Sequence, residues 1–269
     1  MEFSVLMSLY AKEKPEYLRE SLDSVFHQSL PPTEVVMVED GPLTGPLYEV
    51  LDATEKEHPE LKRVRLEKNG GLGNALNEGL KHCTYDLVAR MDTDDICFPD
   101  RFEKQVKYLE SHPEIDIFSG WIEEFEGDIS NVKSVRKVPE THEEIKNYIG
   151  SRNPLNHPAV VFRKDAVNKA GGYRHFPLFE DWYLWSRMMV SGAVFGNVQD
   201  NVLHFRTSAD MFKRRGGFRY ALDSIRFQRE LHRLGLISRF SMLKSSIIRT
   251  AVYIMPNSIR SFIYKTFLR

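Results

Sequence analysis

Features that mark secreted or membrane-spanning proteins are scarce in this sequence of 269 residues. Its two cysteines, Cys83 and Cys97, are too few for a disulfide framework, which indicates a reducing compartment. Glu2 precedes a short apolar run that is typical of a strand, so we expect no signal peptide. No uninterrupted apolar run is long enough to span a bilayer. These absences favour a cytoplasmic protein.

Acidic residues are also absent from the end of the chain. Of the 37 basic residues, seven follow Glu230, which leaves 30 basic against 38 acidic residues in the rest. Large apolar residues recur in this tail at helical spacing, as at Phe240, Leu243 and Ile247. We therefore predict a basic, amphipathic helical extension at residues 216–269 that lies on an anionic membrane surface. The alternative is a helix that packs on the body of the protein or forms an oligomer contact.

Strand and helix patterns alternate over about the first hundred residues. Continuous apolar runs predict buried strands at residues 3–9, 34–38 and 86–91, and amphipathic segments between them predict helices. Such alternation is typical of an α/β fold with a mostly parallel central sheet flanked by helices. Ligands of these sheets bind at the carboxyl ends of the strands. Polar residues at those ends are therefore the candidates for a functional site.

Three carboxylates, Asp92, Asp94 and Asp95, follow the strand at residues 86–91 within four positions. Charges so close repel one another unless a cation lies among them, and a hard divalent ion prefers oxygen ligands. A calcium loop is excluded, because Ile96 and Cys97 stand where an oxygen ligand and a glycine are needed. Ile96 also stands where an aspartyl phosphatase needs a hydroxyl. A solvated acidic turn remains the alternative to a metal-diphosphate site.

Short polar motifs follow the other predicted elements. They are Ser8-Leu9-Tyr10, Glu39-Asp40-Gly41, Asn69–Asn77 and Glu180-Asp181-Trp182. In this order, and together with the acidic cluster, they resemble the family-2 glycosyltransferases over roughly residues 3–210. That family consists of inverting nucleotide-sugar enzymes of GT-A fold. The sequence is similar to bacterial enzymes that build O-antigen, capsule or exopolysaccharide repeat units, and residues 1–215 would form the catalytic domain.

The resemblance implies a site for a nucleotide-sugar. Asp40 would accept the N3–H of uracil, although capping of the turn at Gly41 is the alternative. Asp92 would serve the ribose or the metal. The segment Asn69–Asn77 would flank the nucleotide, with its glycines allowing close approach of the backbone. The full set of residues expected to bind the donor is Ser8, Tyr10, Asp40, Asn69, Gly71, Asn74, Asp92 and Arg206.

The resemblance also implies a divalent metal, manganese or magnesium. Asp94 would be its principal ligand and His204 a second one, whereas Asp95 has no assigned role beyond a helix cap. Arg206 would contact the diphosphate. The basic segment 213–215, which ends at two glycines, would fold over the donor as a lid, and a solvated charged loop is the alternative.

Asp181 matches the catalytic base of the family. Inverting transfer needs one carboxylate that deprotonates the acceptor hydroxyl as it attacks the anomeric carbon. Glu180, Trp182 and His157 are the expected acceptor-binding residues. The alternatives are helix capping for the two carboxylates, core packing for Trp182 and Trp185, and a buried, hydrogen-bonded histidine for His157.

These features together predict a hexosyl- or N-acetylhexosaminyl-transferase that uses a UDP-sugar and a metal. Its acceptor would be a lipid-diphosphate-linked saccharide of bacterial surface polysaccharide synthesis, at the inner face of the plasma membrane. We expect no nucleic-acid partner, and oligomerisation is left open. A nucleotidyltransferase that makes nucleotide-sugars is the first alternative, but the segment Leu9–Pro15 lacks the glycines of its phosphate loop. A non-catalytic sugar- or nucleotide-binding protein is the second.

Overall fold

The computed structural model of the protein describes residues 1–207 and 216–255. In chain order the elements are β1 (Ser4–Leu9), α1 (Pro15–Phe26), β2 (Glu34–Glu39), α2 (Gly45–Glu57), β3 (Leu61–Arg65), α3 (Leu72–His82), β4 (Leu87–Asp92), β5 (Ile96–Cys97), α4 (Arg101–Ser111), β6 (Ile117–Phe125), β7 (Val132–Arg136), α5 (His142–Tyr148), a 3-10 helix (His157–Ala159), β8 (Val161–Arg163), α6 (Lys164–Lys169), α7 (Glu180–Val190), β9 (Phe195–Arg206), α8 (Phe218–Arg233) and α9 (Arg239–Ile254).

One half of the sheet is parallel, as the alternating pattern predicts. Strands β3, β2, β1 and β4 lie side by side in that order, and each neighbouring pair is parallel. Side chains of β1 enter both cores, because Leu6 packs on the α3 side and Val5 and Met7 pack on the α1 and α2 side. This burial on both faces explains why the strand is apolar without alternation.

The other half of the sheet is mixed. Strand β8 pairs antiparallel with both β4 and β6, while β6 and β9 are parallel, so the order continues as β8-β6-β9-β5. Strand β9 runs unbroken over Phe195–Arg206, whereas the sequence pattern favours two short strands, at residues 194–195 and 198–205. The register between β6 and β9 shifts around Trp121, and this shift accommodates the polar residues 199–201.

The first C-terminal helix, α8, shares the core of the α/β domain. Its Phe227 stacks on Phe179 with ring centroids 4.9 Å apart and lies 4.8 Å from the ring of Trp182. The alternative of packing on the body therefore holds for this part of the tail. Within the described ranges, no helix combines the length and hydrophobicity needed to cross a membrane. The predicted lid at residues 213–215 and the tail beyond Met255 lie outside those ranges.

Candidate active site

The parallel half of the sheet brings the predicted donor-binding residues to one edge. Ser8 is the register partner of Asp92 on β4 and of Val38 on β2. The Asp40 backbone N–H donates to the Leu9 carbonyl oxygen at 2.7 Å. The ends of β1, β2 and β4 therefore lie together, with Ser8 partly buried and Tyr10 exposed.

Asp40 anchors the loop in front of α3. Its Oδ1 accepts the Gly70 N–H at 2.7 Å, and its Oδ2 accepts the Gly71 N–H at 3.0 Å. Asn69 Nδ2 donates to the Asp40 carbonyl at 3.1 Å, and Asn74 Nδ2 donates to the Gly70 carbonyl at 2.7 Å. Asp40 thus binds three consecutive residues of the segment Asn69–Asn77 instead of capping its own turn. Each carboxylate oxygen keeps acceptor capacity, so a further N–H donor can still be bound.

The acidic cluster is closely packed. Asp92, Asp94 and Asp95 each offer a carboxylate oxygen, and these oxygens all lie within 4.8 Å of one another. Asp92 forms an ion pair with Arg90, an almost fully buried arginine of β4. Asp95 is completely buried, and its Oδ1 accepts the Arg206 backbone N–H at 2.8 Å. Asp95 is not the cap of α4, because Asp100 occupies the N-cap position.

Proton affinity in this cluster is high because negative charge is crowded and shielded from water. Burial, followed by repulsion from Asp92 and Glu13, raises the pKa of Asp94 to about 7. Burial and repulsion from Asp94 and Asp92 raise the pKa of Asp95 well above its ordinary value. Asp95 Oδ2 has no hydrogen-bond partner in the part of the chain that the structure describes. Three close carboxylates, one with an unsatisfied buried oxygen, fit the oxygen-rich shell of a divalent cation.

Glu13 is a fourth acidic side chain at this site that sequence reasoning missed. It lies in the loop between β1 and α1 and accepts a hydrogen bond from Thr93 Oγ1 at 3.2 Å. Burial raises its pKa, and Asp92 adds to the effect. No spacing rule connects Glu13 with the cluster, because it arrives from a loop 80 residues away in sequence. A carboxylate directly after the first strand was the only available signal.

Arg206 is held behind the cluster and does not point outward. Its Nε donates to the Asp94 carbonyl at 2.8 Å, and its guanidinium lies 3.9 Å from the Tyr17 ring centroid and 4.6 Å from that of Phe125. It also pairs with Glu20. The predicted contact of Arg206 with a diphosphate would require these contacts to break. In this arrangement its direct effect is to fix the Asp94–Asp95 segment.

His204 is not brought together with the carboxylates. Its ring stacks on Phe98 with centroids 4.0 Å apart, and its Nδ1 lies 3.2 Å from a Glu123 oxygen. Burial lowers its pKa, although Glu123 opposes the effect. The group suited to a metal among the described residues consists of the three aspartates without His204. This placement argues against the predicted ligand role of His204.

Asp181 lies in the first turn of α7 and is oriented by two donors. Asn153 Nδ2 donates to its Oδ2 at 2.6 Å, and the Trp182 backbone N–H donates to its Oδ1 at 2.7 Å. The second contact is local, from the next residue of α7, whereas the first comes from a separate loop. Burial raises the pKa of the adjacent Glu180, and Asp181 adds to it. The Asp181 carboxylate is therefore held in place by the Asn153 amide and remains partly exposed.

Tyr173 connects the Asp181 side of the site with the acidic cluster. The Asn77 side chain of α3 forms two hydrogen bonds with the Tyr173 backbone. Its Nδ2 donates to the Tyr173 carbonyl oxygen and its Oδ1 accepts the Tyr173 N–H, each at 2.7 Å. A side chain at Gly73 would meet Tyr173 Cβ at 3.4 Å and Glu180 Cγ at 3.8 Å, so α3 and the start of α7 are adjacent. Burial raises the pKa of Tyr173, while Arg90 lowers it and Asp181 and Asp92 raise it. The charges of Asp181 and Asp92 thus both raise the pKa of the Tyr173 phenol.

The remaining predicted acceptor residues are mostly structural. Trp182 is 5 % exposed, and its Nε1 donates to the Ile149 carbonyl at 2.8 Å. This burial argues against the predicted contact of Trp182 with an acceptor and supports core packing. His157 Nε2 lies 2.9 Å from the Tyr173 hydroxyl, and burial and Arg90 hold its pKa well below the ordinary value. His157 is thus a neutral, hydrogen-bonded histidine, and Trp185 is fully buried.

Solved structures of similar fold include proteins in complex with nucleotide-sugars. TarS 1-349 of S. aureus in complex with UDP-GlcNAc matches with a TM-score of 0.68 and 17% identity, over 100% of this chain and 76% of that chain. The mannosyltransferase PcManGT of Pyrobaculum calidifontis in complex with GDP-Man and Mn²⁺ matches with a TM-score of 0.65 and 16% identity, over 96% and 77%. This likeness confirms the predicted GT-A fold.

Proteins of similar sequence are also named as glycosyltransferases. An uncharacterised glycosyltransferase of Haemophilus influenzae is 44% identical over the full length of both chains. The amylovoran biosynthesis glycosyltransferase AmsE of Erwinia amylovora is 42% identical over 98% of both. An Escherichia coli UDP-Gal:alpha-D-GlcNAc-diphosphoundecaprenol beta-1,3-galactosyltransferase is 38% identical over 100% of this chain and 97% of its own. Residues 4–171 match the profile of Glycosyl transferase family 2. The chain is therefore a glycosyltransferase and belongs to glycosyl transferase family 2.

Proposed function

We propose that the protein is a metal-dependent, inverting glycosyltransferase that moves a hexosyl or N-acetylhexosaminyl group from a UDP-sugar to a hydroxyl of a lipid-linked saccharide. The observation that carries this proposal is that carboxylates at three separate positions lie around one edge of the sheet. Asp40 orders the loop before α3, the Asp92–Asp95 cluster ends β4, and Asp181 begins α7. Binding of a nucleotide, binding of a metal and proton removal each have a separate candidate group.

The donor would lie along the ends of β1, β2 and β4. Asp40 would receive the uracil N3–H, and the ordered backbone of Gly70 and Gly71 would face the nucleoside. Asp92 would bind at the ribose edge, since its carboxylate is already neutralised by Arg90. The E. coli relative is named for a UDP-sugar donor, which supports the choice of uridine over other bases.

A divalent cation would be held by Asp94, with Asp95 as a second oxygen donor through its unsatisfied Oδ2. Bound manganese or magnesium would stabilise the negative charge on the departing UDP. The residues themselves contribute preorganisation, because Arg206 fixes the Asp94 carbonyl and the Asp95 carboxylate before any ligand arrives. The manganese in the Pyrobaculum calidifontis structure supports this choice of ion.

Asp181 would take the proton of the acceptor hydroxyl. The Asn153 amide aims one carboxylate oxygen, and the helix N–H of Trp182 holds the other, so the group is oriented before the acceptor binds. A hydroxyl deprotonated there would attack the anomeric carbon from the face opposite the diphosphate, which inverts the configuration. Glu180, with its pKa raised by burial, is positioned to contact the acceptor beside it.

The acceptor would be a saccharide linked to a lipid diphosphate, and the enzyme would sit on the inner face of the plasma membrane. The E. coli relative is named for such an acceptor, and the Erwinia relative for polysaccharide biosynthesis. Helix α9 exposes apolar side chains, and Arg239, Lys244 and Arg249 lie on the same helix. Apolar burial and attraction to anionic lipid would hold it at the interface.

Two measurements test the proposal. Calorimetry should detect UDP binding that requires manganese or magnesium. Absence of UDP binding in the presence of either ion would refute the proposed function. Asp181→Asn should keep this UDP binding and lose transfer by about a thousandfold or more, because the hydroxyl lacks its base. Asn153→Ala should lower kcat less strongly, since Asp181 would remain but lose its orientation. Full turnover in Asp181→Asn would assign the base to another residue.

A further inference from the structure

An arginine-lined cavity lies apart from the acidic cluster, between α8 and the loop that precedes α7. Its volume is about 550 Å³. Arg174 comes from the loop, and Arg226, Arg229 and Arg233 come from one face of α8, at successive spacings of three and four residues. Among the lining residues that the structure describes, Glu230 is the one acidic side chain. We call this feature the arginine cavity.

Positive charge in the arginine cavity is only partly compensated. Arg226 pairs with Asp223 at 3.0 Å, and Arg233 pairs with Glu230 at 2.7 Å. Within residues 1–207 and 216–255, no carboxylate lies within 4 Å of the Arg174 or Arg229 guanidinium. Two guanidinium groups therefore face the cavity with no counter-ion from the described chain. A cluster of like charges of this kind is stabilised by an anionic ligand.

The walls of the arginine cavity are held in place by buried contacts. Tyr183 of α7 donates its hydroxyl to Glu230 of α8 at 3.3 Å, which joins the two helices. Behind the cavity, Arg187 donates to the carbonyls of Ala170 and Gly172, the second at 2.6 Å. These bonds fix the backbone that leads into Arg174. The guanidinium groups are thus presented by a rigid frame, which reduces the ordering cost of binding.

The arginine cavity borders the side of the site assigned to the acceptor. Glu180 and Tyr183 are three residues apart and therefore neighbours on one face of α7. His175, which follows Arg174, is close enough to Glu180 to act on its charge. Asp181 lies in the same helical turn, two residues before Tyr183 and therefore on a different face of the helix. An anion in the cavity would lie around the helix from Asp181, and the acceptor saccharide would extend from the cavity to that carboxylate.

From this placement we infer that the arginine cavity binds the diphosphate that joins the acceptor saccharide to its lipid. A diphosphate offers several oxygens that planar guanidinium groups can bind in pairs, and its charge matches the two uncompensated arginines. The inference rests on the proposed function, because it assigns a place to that acceptor. The same phosphate chemistry occurs in anionic lipid headgroups, so the experiment must separate the two sources.

Binding of inorganic pyrophosphate to the full chain tests the cavity directly. Titrations in a chelator, without divalent metal, should show binding to the wild type that falls by about a hundredfold in the double variant Arg174→Gln, Arg229→Gln, since two charge-assisted contacts are lost. Arg219→Gln, an exposed arginine of α8 outside the cavity, is the matched control and should bind normally. Asp94→Asn should also bind normally, because the donor site is separate. Equal weakening in Arg219→Gln would overturn the inference.

Binding to vesicles distinguishes the acceptor diphosphate from anionic lipid headgroups as the source of the phosphate. Neutral vesicles that contain a polyprenyl diphosphate saccharide should bind the wild type and release the double variant. Anionic phosphatidylglycerol vesicles should bind both proteins equally, because α9 provides that contact. Loss of binding to the anionic vesicles alone would make the cavity a headgroup site and overturn the assignment.

Kinetics distinguish failure of this inference from failure of the proposed function. The double variant should raise the KM for the diphosphate-linked acceptor at least tenfold and leave kcat and UDP binding unchanged. With an alkyl glycoside acceptor, which has no diphosphate, its KM should equal that of the wild type. An unchanged KM for the diphosphate-linked acceptor refutes the cavity while transfer itself stands. Absence of UDP binding in the wild type refutes the proposed function and leaves the pyrophosphate result unaffected.

Discussion

Two arginines contact the acidic cluster at the end of β4, and they do so in different ways. Arg90 is buried within the strand and pairs with Asp92 through its side chain. Arg206 approaches from β9 and binds the next two acidic residues through its backbone N–H and its Nε. Asp92 is thus neutralised, whereas the Asp94 and Asp95 carboxylates are positioned without direct neutralisation by a guanidinium. This difference favours Asp94 and Asp95 as the cation-binding pair.

Arg206→Gln should weaken manganese-dependent UDP binding by about tenfold, because one charge-assisted bond to the Asp94 carbonyl is lost. Calorimetric titration of manganese in the presence of UDP measures this effect. The backbone contact to Asp95 remains, so a complete loss is not expected. Arg19→Gln removes an exposed arginine of α1 and serves as the control. An unchanged manganese affinity in Arg206→Gln would show that the segment holds its shape without the guanidinium.

Glu34 provides a stability test away from the site. Burial raises the pKa of its carboxyl, but hydrogen bonds from Lys62, Ser4 and Thr84 outweigh this and lower the pKa to about 2. A lowered pKa means that the stabilisation is complete above the ordinary value of 4.5 and is lost as the pH falls towards 2. Glu34→Gln should therefore lower the free energy of unfolding by about 2 kcal/mol at pH 7.

The difference between Glu34→Gln and the wild type should shrink as the pH is lowered from 4.5, in urea unfolding curves recorded at several pH values. Glu60→Gln, an exposed carboxylate at the start of β3, should change little at any pH. A deficit in Glu34→Gln that stays constant down to pH 3 would mean that packing, and not the charge, is responsible.

Among the elements, α3 joins the Asp40 end of the site to the Tyr173 and Asp181 end. Its N-terminal loop is bound by Asp40, and Asn77 binds the backbone of Tyr173. Gly79 lets the helix approach the sheet, because a Cβ there would lie 2.3 Å from Leu6 Cδ1 and 2.6 Å from Val38 Cγ2. The short distance between helix and sheet sets the position of every residue that α3 carries.

Gly79→Ala should destabilise the protein by about 1–2 kcal/mol, since overpacking against β1 and β2 exceeds the gain in helix propensity. Thermal or urea unfolding measures the change. Gly45→Ala is the matched control, because Gly45 also lies in a helix and a Cβ there would meet nothing within 4 Å. Equal or greater stability of Gly79→Ala would mean that Leu6 and Val38 can move aside without cost.

The sequence predicts elements well where burial dictates its pattern. Strands β1, β2 and β4 are mostly apolar because both faces are covered, and their ends place Asp40 and Asp92 correctly at one edge. Strand β5 has two residues, too few for any periodicity, and the polar centre of β9 interrupts its pattern. At the site, Glu13 and Asn153 acquire their roles only through tertiary contacts. Arg90 could have been singled out from the sequence, because it is a charged residue inside a mostly apolar strand.

On the scale of the whole molecule, the C-terminal helices connect an exposed apolar surface with the Asp181 side of the site. Helix α8 packs on α7 through Phe227, and α9 packs on α8 through Tyr253, whose ring centroid lies 4.6 Å from that of Tyr220. Arg249 of α9 donates to the Ser151 carbonyl at 2.5 Å, two residues before the asparagine that orients Asp181. A membrane that holds α9 would therefore set the position of the proposed base relative to the lipid surface.

The outer side of α9 provides the test of that surface. Phe240 is 76 % exposed and Ile247 is 70 % exposed, seven residues apart on one face, so replacing them leaves the core intact. Phe240→Gln with Ile247→Gln should weaken binding to phosphatidylglycerol vesicles by at least tenfold, because each apolar side chain contributes about 1.5–3 kcal/mol when buried. Val190→Gln, which changes an exposed apolar residue at the end of α7, should pellet with vesicles like the wild type. Unchanged pelleting of the double variant, together with a change in its sedimentation behaviour, would assign this face to self-association.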